Sequence, residues 1–173
     1  MLGFNPHAGH PLTQDRKSLI NFNRIQHAIF IGTCPGHEVD IERLEQGPGV
    51  TAILNLQTDA DFGALKIDWA RLETHYSRRG LTVRRWPIRD FDPDDLEHRI
   101  PGAAAALGEL LSAGHQVYVH CTAGVCRAPA VVIAFLAWHR GWDLDEAYEF
   151  VKRQRPCSPY LDRIRAAGSA RAG

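Results

Sequence analysis

The chain has 173 residues, 45% of them hydrophobic, and its 20 basic side chains balance 20 acidic ones to a formal net charge of zero. Such a length and composition suit one globular domain with its own core, not a disordered chain. The charge balance removes the electrostatic case for a nucleic-acid or membrane partner.

Residues 1–23 are polar and carry Gly, Pro, His and Asn, the composition of an extended or loosely docked N-terminal arm. The run AIFIG at 28–32 reads as a short buried strand. Residues 38–47 have helical spacing and end on Gly47, a usual stop signal. The β-branched run 50–56 suits a central strand. Residues 67–80 are helical, with Ile67, Trp69, Leu72 and Tyr76 facing inward, and 81–88 form a third strand. Residues 94–114 read as one long helix in which Pro101 is a point for a break or bend, since proline lacks the N–H of an interior turn. A fourth strand covers 116–120, and helices follow over 128–140, 144–153 and 160–167. Strands alternating with helices define an α/β fold around a largely parallel sheet. Neither a repeat nor a linker divides it, so 24–168 is expected to form one domain with a short tail at 169–173. The longest apolar run, 128–138, is too short to cross a bilayer, and the N-terminus lacks the order of a secretory signal. A cytoplasmic location is the expectation.

The four cysteines are Cys34, Cys121, Cys126 and Cys157. Their spacing provides no paired zinc knuckles. Cys34 with His37, and His7 with His10, are ligand-like pairs without a second pair, so no metal is expected. Cysteines this sparse in a cytosolic chain suit chemistry better than stapling.

The stretch HCTAGVCRAP at 120–129 concentrates that chemistry. It follows the fourth strand and precedes an apolar helix, the position where α/β sheets bind ligands and where helix N-termini attract anions. Small residues from Thr122 through Val125 let the backbone curl into an anion-binding nest, and Pro129 fits the first helical turn. A helix N-terminus beside an arginine lowers a thiol pKa from ~8.5 to roughly 3.5–7.5, which makes Cys121 a nucleophile. Arg127 offers a planar fork for two phosphate oxygens. Neither a Walker A run nor a G-x-G-x-x-G run exists in the chain.

HC-x5-R in a strand–loop–helix setting resembles the signature of the cysteine-dependent phosphatases, and the compact chain resembles their dual-specificity branch. The resemblance implies a three-layer α/β fold, with a central, mostly parallel sheet of four to five strands flanked by helices. It also implies attack of Cys121 on phosphorus, a phosphocysteine hydrolysed by water, no cofactor, Arg127 as clamp, and His120 as a support that positions and tunes the thiolate. The backbone of Thr122, Ala123, Gly124, Val125 and Cys126 would hold phosphate. The general acid must come from another loop. RDFDPDDLEHR at 89–99 supplies it, with Asp90 at the family spacing and Asp92 second; Asp94 and Asp95 suit the start of the following helix.

HCTAGVCRAPA, IRDFD, LNLQTDAD and YLDRIRAA further resemble the glucan phosphatases, the plant starch-excess enzymes and laforin. That implies a phosphorylated glucan as substrate, with phosphoprotein the alternative. Three departures stand out: Cys126 replaces a glycine, Ala128 replaces the Ser or Thr common in protein phosphatases, and the variable loop DFGALKIDW lacks an aromatic pair. Sugars stack on aromatic faces, so Phe91 beside the acid is the first candidate contact, with Phe62, Trp69 and Tyr160 behind it; for those three ordinary core packing is an equal reading. A cysteine directly before the arginine resembles the low-molecular-weight tyrosine phosphatases and implies a protective Cys121–Cys126 disulfide. Two further classes remain open: an arsenate-reductase-like redox enzyme using Cys34 or Cys157, and a silent phospho-binding module. The basic pairs Arg78-Arg79 and Arg84-Arg85, with Lys152, Arg153 and Arg155, read as solvated faces.

Overall fold

The computed structural model describes residues 19–171. Five strands order as β1-β2-β5-β3-β4. They are β1 (Phe22–Gln26), β2 (Ile29–Gly32), β3 (Ala52–Asn55), β4 (Thr82–Arg85) and β5 (Val117–His120). β1 is an antiparallel edge on β2, and the other pairings are parallel. Every residue of β2, β3 and β5 is buried, the mark of central parallel strands covered on both faces.

Side chains alternate between those faces, as a strand requires. Ile31, Leu54, Val117 and Val119 join a larger core with Leu96, Ile100, Leu107, Val131, Phe135, Val151 and Ile164. That core is supplied by α4 (Pro93–Ser112), α5 (Arg127–Arg140), α6 (Leu144–Gln154) and α7 (Leu161–Arg171). Phe30, Ile53 and Tyr118 point the other way, onto Ile41 and Leu44 of α1 (Glu38–Gln46) and Leu72 and Tyr76 of α3 (Trp69–Arg78). The result is helices, sheet and helices in three layers, as the sequence implies.

Two elements were not legible in the sequence. β1 begins within the segment expected as an arm and is tied by Asn21 N–H to Thr33 Oγ1 at 3.0 Å. The variable segment holds a short helix, α2 (Asp59–Leu65), started by a capping box between Thr58 and Asp61. α4 runs unbroken through Pro101, because apolar residues on both sides of the proline, Leu96, Ile100, Ala103, Ala104, Leu107 and Leu110, are all packed into the core. Residues 1–18, including His7 and His10, lie outside the described residues. Among the described residues, no helix is long and apolar enough to cross a membrane, and no group of three or more His, Cys, Asp or Glu could hold a metal ion.

The parallel register aligns the carboxyl ends: Gly32 and Asn55 both pair with His120, and Asn55 with Arg85. Cys34, Asp61, Asp90 and Cys121 all follow these ends, so the sheet delivers four chain-distant loops to one place.

His120, buried at the end of β5, carries a stability consequence. Burial pushes its imidazole down to about 4, against ~6.5 in an unfolded chain. Between these values the unfolded state binds the extra proton, so stability is complete above the unfolded value and is lost as pH falls toward the folded one. Urea unfolding is expected to find this contribution about 2 kcal/mol smaller at pH 5 than at pH 7. In His120→Gln the dependence over that range should be flatter by the same amount; an equal slope in both proteins contradicts it.

Candidate active site

The loop after β5 spans 121–126 and ends where Cys126 caps the N-terminus of α5. Cys121 lies at its base, buried. The loop carbonyls are tied to surrounding structure. Thr122 O accepts from Cys34 N–H at 3.0 Å and Val125 O from Ser158 N–H at 2.9 Å. Ala123 O and Gly124 O accept from Arg155 Nη2 and Nε at 3.1 and 2.7 Å. With the carbonyls committed, the N–H groups of Thr122 through Cys126 donate to nothing among the described residues. Gly124 allows the turn: its φ is +66°, and a Cβ would lie 2.4 Å from Gly32 O.

Arg127 opens α5, and its side chain is only 3% exposed. Nη1 donates to Asp61 Oδ2 at 3.0 Å and Ile88 O at 2.9 Å. Nη2 reaches Asp61 Oδ1 at 3.3 Å, Thr122 Oγ1 at 3.2 Å and Asp90 Oδ2 at 2.8 Å. Nε has no partner among the described residues. Two carboxylates therefore flank one guanidinium. Burial works against the charge of Asp61, but Arg127 and Thr58 together outweigh it and hold the carboxyl below its ordinary range. Thr122 Oγ1 also donates to Asp61 and accepts from Gln57 Nε2, both at 3.2 Å.

Of the four aspartates in 90–95, only Asp90 pairs with Arg127. Asp92 caps α4 through Asp95 N–H at 2.9 Å and pairs with Arg89. Asp95 is buried against Arg89 N–H and Arg99, and Asp94 pairs with Arg163. Asp92, the second choice for the acid, is thus occupied in starting a helix.

His120 Nδ1 lies 3.1 Å from Cys121 O. The ring stays neutral above about pH 4, so it places no positive charge beside Cys121 at pH 7. All four cysteines are free. Burial first, then the neighbouring Cys121, pushes the Cys34 and Cys126 thiols up to about 11; Tyr160 N–H bonds to Cys126. Burial likewise raises Cys157.

The aromatic candidates separate clearly. Phe91 is 89% exposed and has φ of +54°, a left-handed conformation unusual for an aromatic residue. Phe62, by contrast, is buried and stacks on Trp69 at 4.9 Å and 5°, with Arg85 over both rings. Its faces are occupied, which corrects its candidacy as a sugar-stacking surface. Trp69 is half-buried, and Tyr160 is exposed at the start of α7.

Sequence reasoning missed Asp61 and Arg155. Thr58-x-x-Asp61 was a visible capping signal, yet nothing in it announced the contact with Arg127. Arg155, expected on a solvated face with its basic neighbours, is instead buried at 4% exposure. The chain turns extended as α6 ends there, and the side chain swings onto the loop carbonyls.

The sequence profile of the dual specificity phosphatase catalytic domain matches residues 29–162, and the chain belongs to that family. Among its relatives, it is 34% identical over 164 residues to "Phosphoglucan phosphatase DSP4, amyloplastic" of Castanea sativa, covering 93% of this chain and 43% of the relative. Laforin of Mus musculus is 31% identical over 153 residues, covering 83% of this chain and 46% of laforin. The chain thus spans less than half the length of these relatives. Among solved structures, Tk-PTP in the active form has the same fold, with a TM-score of 0.69 at 22% identity over 86% of this chain and 94% of that one.

Asp61 anchors Arg127 from the side that Asp90 leaves open. Asp61 supplies two of the three carboxylate contacts of the fork, and replacing it by Asn removes its charge from both. Asp61→Asn is expected to lower kcat/KM on p-nitrophenyl phosphate by roughly 10- to 100-fold, the cost of loosening a charge-assisted pair. Wild-type kinetics in that variant would show that Arg127 needs no such anchor.

Proposed function

We propose that the chain is a metal-independent phosphomonoesterase that works through a phosphocysteine and acts on phosphorylated glucan. The observation that carries the reading is the loop 122–126 that follows Cys121, its N–H groups without a partner among the described residues and closed by Arg127, whose fork reaches Asp90. Preorganised donors of this kind stabilise a phosphoryl group most where its charge spreads.

In the proposed reaction, Cys121 thiolate attacks phosphorus and the bond to the leaving oxygen breaks. Asp90 gives that oxygen its proton, leaving phosphate on sulfur and Asp90 as carboxylate. A water molecule then loses a proton to Asp90 and attacks phosphorus, and the S–P bond breaks to return the thiolate and release orthophosphate. Phosphate oxygens take over the Arg127 Nη2 contact that Asp90 holds in the free enzyme, while Asp61 keeps its hold on Nη1. Released from that ion pair, Asp90 takes up a proton from solvent and turns toward the leaving group, and it gives a proton back to solvent when it pairs with Arg127 again. The role of His120 is to fix the Cys121 carbonyl.

Phosphorylated glucan is favoured by two supports. A phosphoglucan phosphatase from Castanea sativa is similar over 93% of the chain. Phe91 adds an exposed ring directly beside Asp90, where a sugar face could stack on it. Trp69 and Tyr160 are secondary contacts in this reading.

Orthophosphate release from phosphorylated amylopectin and from a phosphotyrosine peptide, measured side by side, tests the proposal. Amylopectin is expected to be preferred, and Cys121→Ser to release nothing. Asp90→Asn should lose roughly 10²- to 10⁴-fold in kcat, whereas Asp92→Asn should keep kcat. Phe91→Ala should lower the rate on amylopectin while sparing p-nitrophenyl phosphate. Preference for the peptide would overturn the glucan assignment.

A further inference from the structure

Arg155 is a buried cation held only by neutral groups. Nε and Nη2 donate to the carbonyls of Gly124 and Ala123, and Nη1 donates to Asn21 Oδ1 at 3.1 Å and Asn23 Oδ1 at 2.8 Å. Among the described residues it takes part in no ion pair. Burying a charge without a counter-charge is costly, and hydrogen bonds alone offset it only in part. The fold nevertheless keeps this guanidinium behind the loop that surrounds Cys121.

The charges around Cys121 explain what it can do there. On α5, Arg127 is positive, but Asp61 of α2 and Asp90 after β4 both pair with it. Of the neighbours that titrate, His120 on β5 is neutral, and Cys34 after β2 and Cys126 at the helix cap stay protonated at pH 7. Tyr118 and Cys157, which face Arg155, have both been raised by burial and stay neutral too. The clamp arginine is more than balanced by carboxylates before substrate arrives. Among the described residues, Arg155 is a positive charge near the site with no carboxylate partner.

We propose that Arg155 is a positioning residue with an electrostatic role: it turns the Ala123 and Gly124 carbonyls outward and supplies an unbalanced positive charge that favours the Cys121 thiolate and the bound phosphate. The inference rests on Cys121 being the nucleophile. Its effect passes through the loop, and Arg155 touches no reacting atom.

Asn23→Asp separates charge from scaffolding. It keeps the acceptor oxygen on Nη1 and adds a carboxylate that neutralises Arg155 without removing it. Cys121 thiolate formation is read from the pH dependence of inactivation by iodoacetamide, with the alkylated residue located by mass spectrometry. The expected result is an upward shift of the midpoint by about 1 pH unit and a roughly 10-fold lower kcat/KM on p-nitrophenyl phosphate, with an unchanged circular dichroism spectrum. Asn21→Asp, on the exposed side of the same nitrogen, should act in the same direction and serves if the first variant folds poorly. An unchanged midpoint in a folded, paired variant would overturn the electrostatic role and leave Arg155 as a clamp alone. Failure of the underlying nucleophile reading looks different: the wild-type enzyme would then lose no activity when Cys121 is alkylated.

Discussion

Successive backbone N–H groups can face one anion only if the carbonyls between them are held elsewhere. That constraint governs the region around Cys121. Thr122 O is taken by the end of β2, Val125 O by the segment after α6, and Ala123 O and Gly124 O by Arg155. The partners come from two places far from the loop in sequence, Cys34 after β2 and Arg155 and Ser158 at the end of α6, so the loop's shape depends on both being packed against it. Gly124 permits the left-handed step, and the close approach to Gly32 leaves no room there for a side chain. The shape of the loop is therefore set from outside inward.

Charge is arranged with the same economy. Arg127 is buried beside two carboxylates that differ in commitment: Asp61 contacts both terminal nitrogens, while Asp90 contacts one and is about one-third exposed. In the proposed reaction a dianion would meet N–H donors with no partner among the described residues and an arginine whose outer contact is the easier to exchange. Asp61 also sits one residue before Phe62, whose ring is locked against Trp69 and Arg85. The helix that anchors the clamp is thus pinned by an aromatic stack at the edge of the site.

Much of this was legible in the sequence because it is local. HCTAGVCR announces itself by residue types within one turn, and strand runs such as VYVH and AILN show their burial through β-branched and apolar content. The segment 89–99 was reachable through its place after the third predicted strand, and Asp90 within it only through the spacing that the family resemblance implies. The long-range partners were not. Arg155 contacts Asn21 and Asn23 across most of the chain, and no periodicity links them. β1 escaped notice because FNRIQ is an edge strand with mixed exposure, polar enough to pass for a loop. For Phe62 the sequence left sugar contact and core packing both open, because the short helix that buries it has too few residues to display a period.

The central claim is that Cys121, set within that nest, attacks phosphorus directly. The most direct measurement is rapid acid quench of the enzyme during turnover of a phosphomonoester, followed by mass spectrometry of the cysteine peptide. The account predicts a transient phosphate on Cys121, absent in Cys121→Ser and longer-lived when Asp90 is replaced. Steady turnover with no phosphoenzyme at any quench time, or with phosphate carried on another residue, would contradict it.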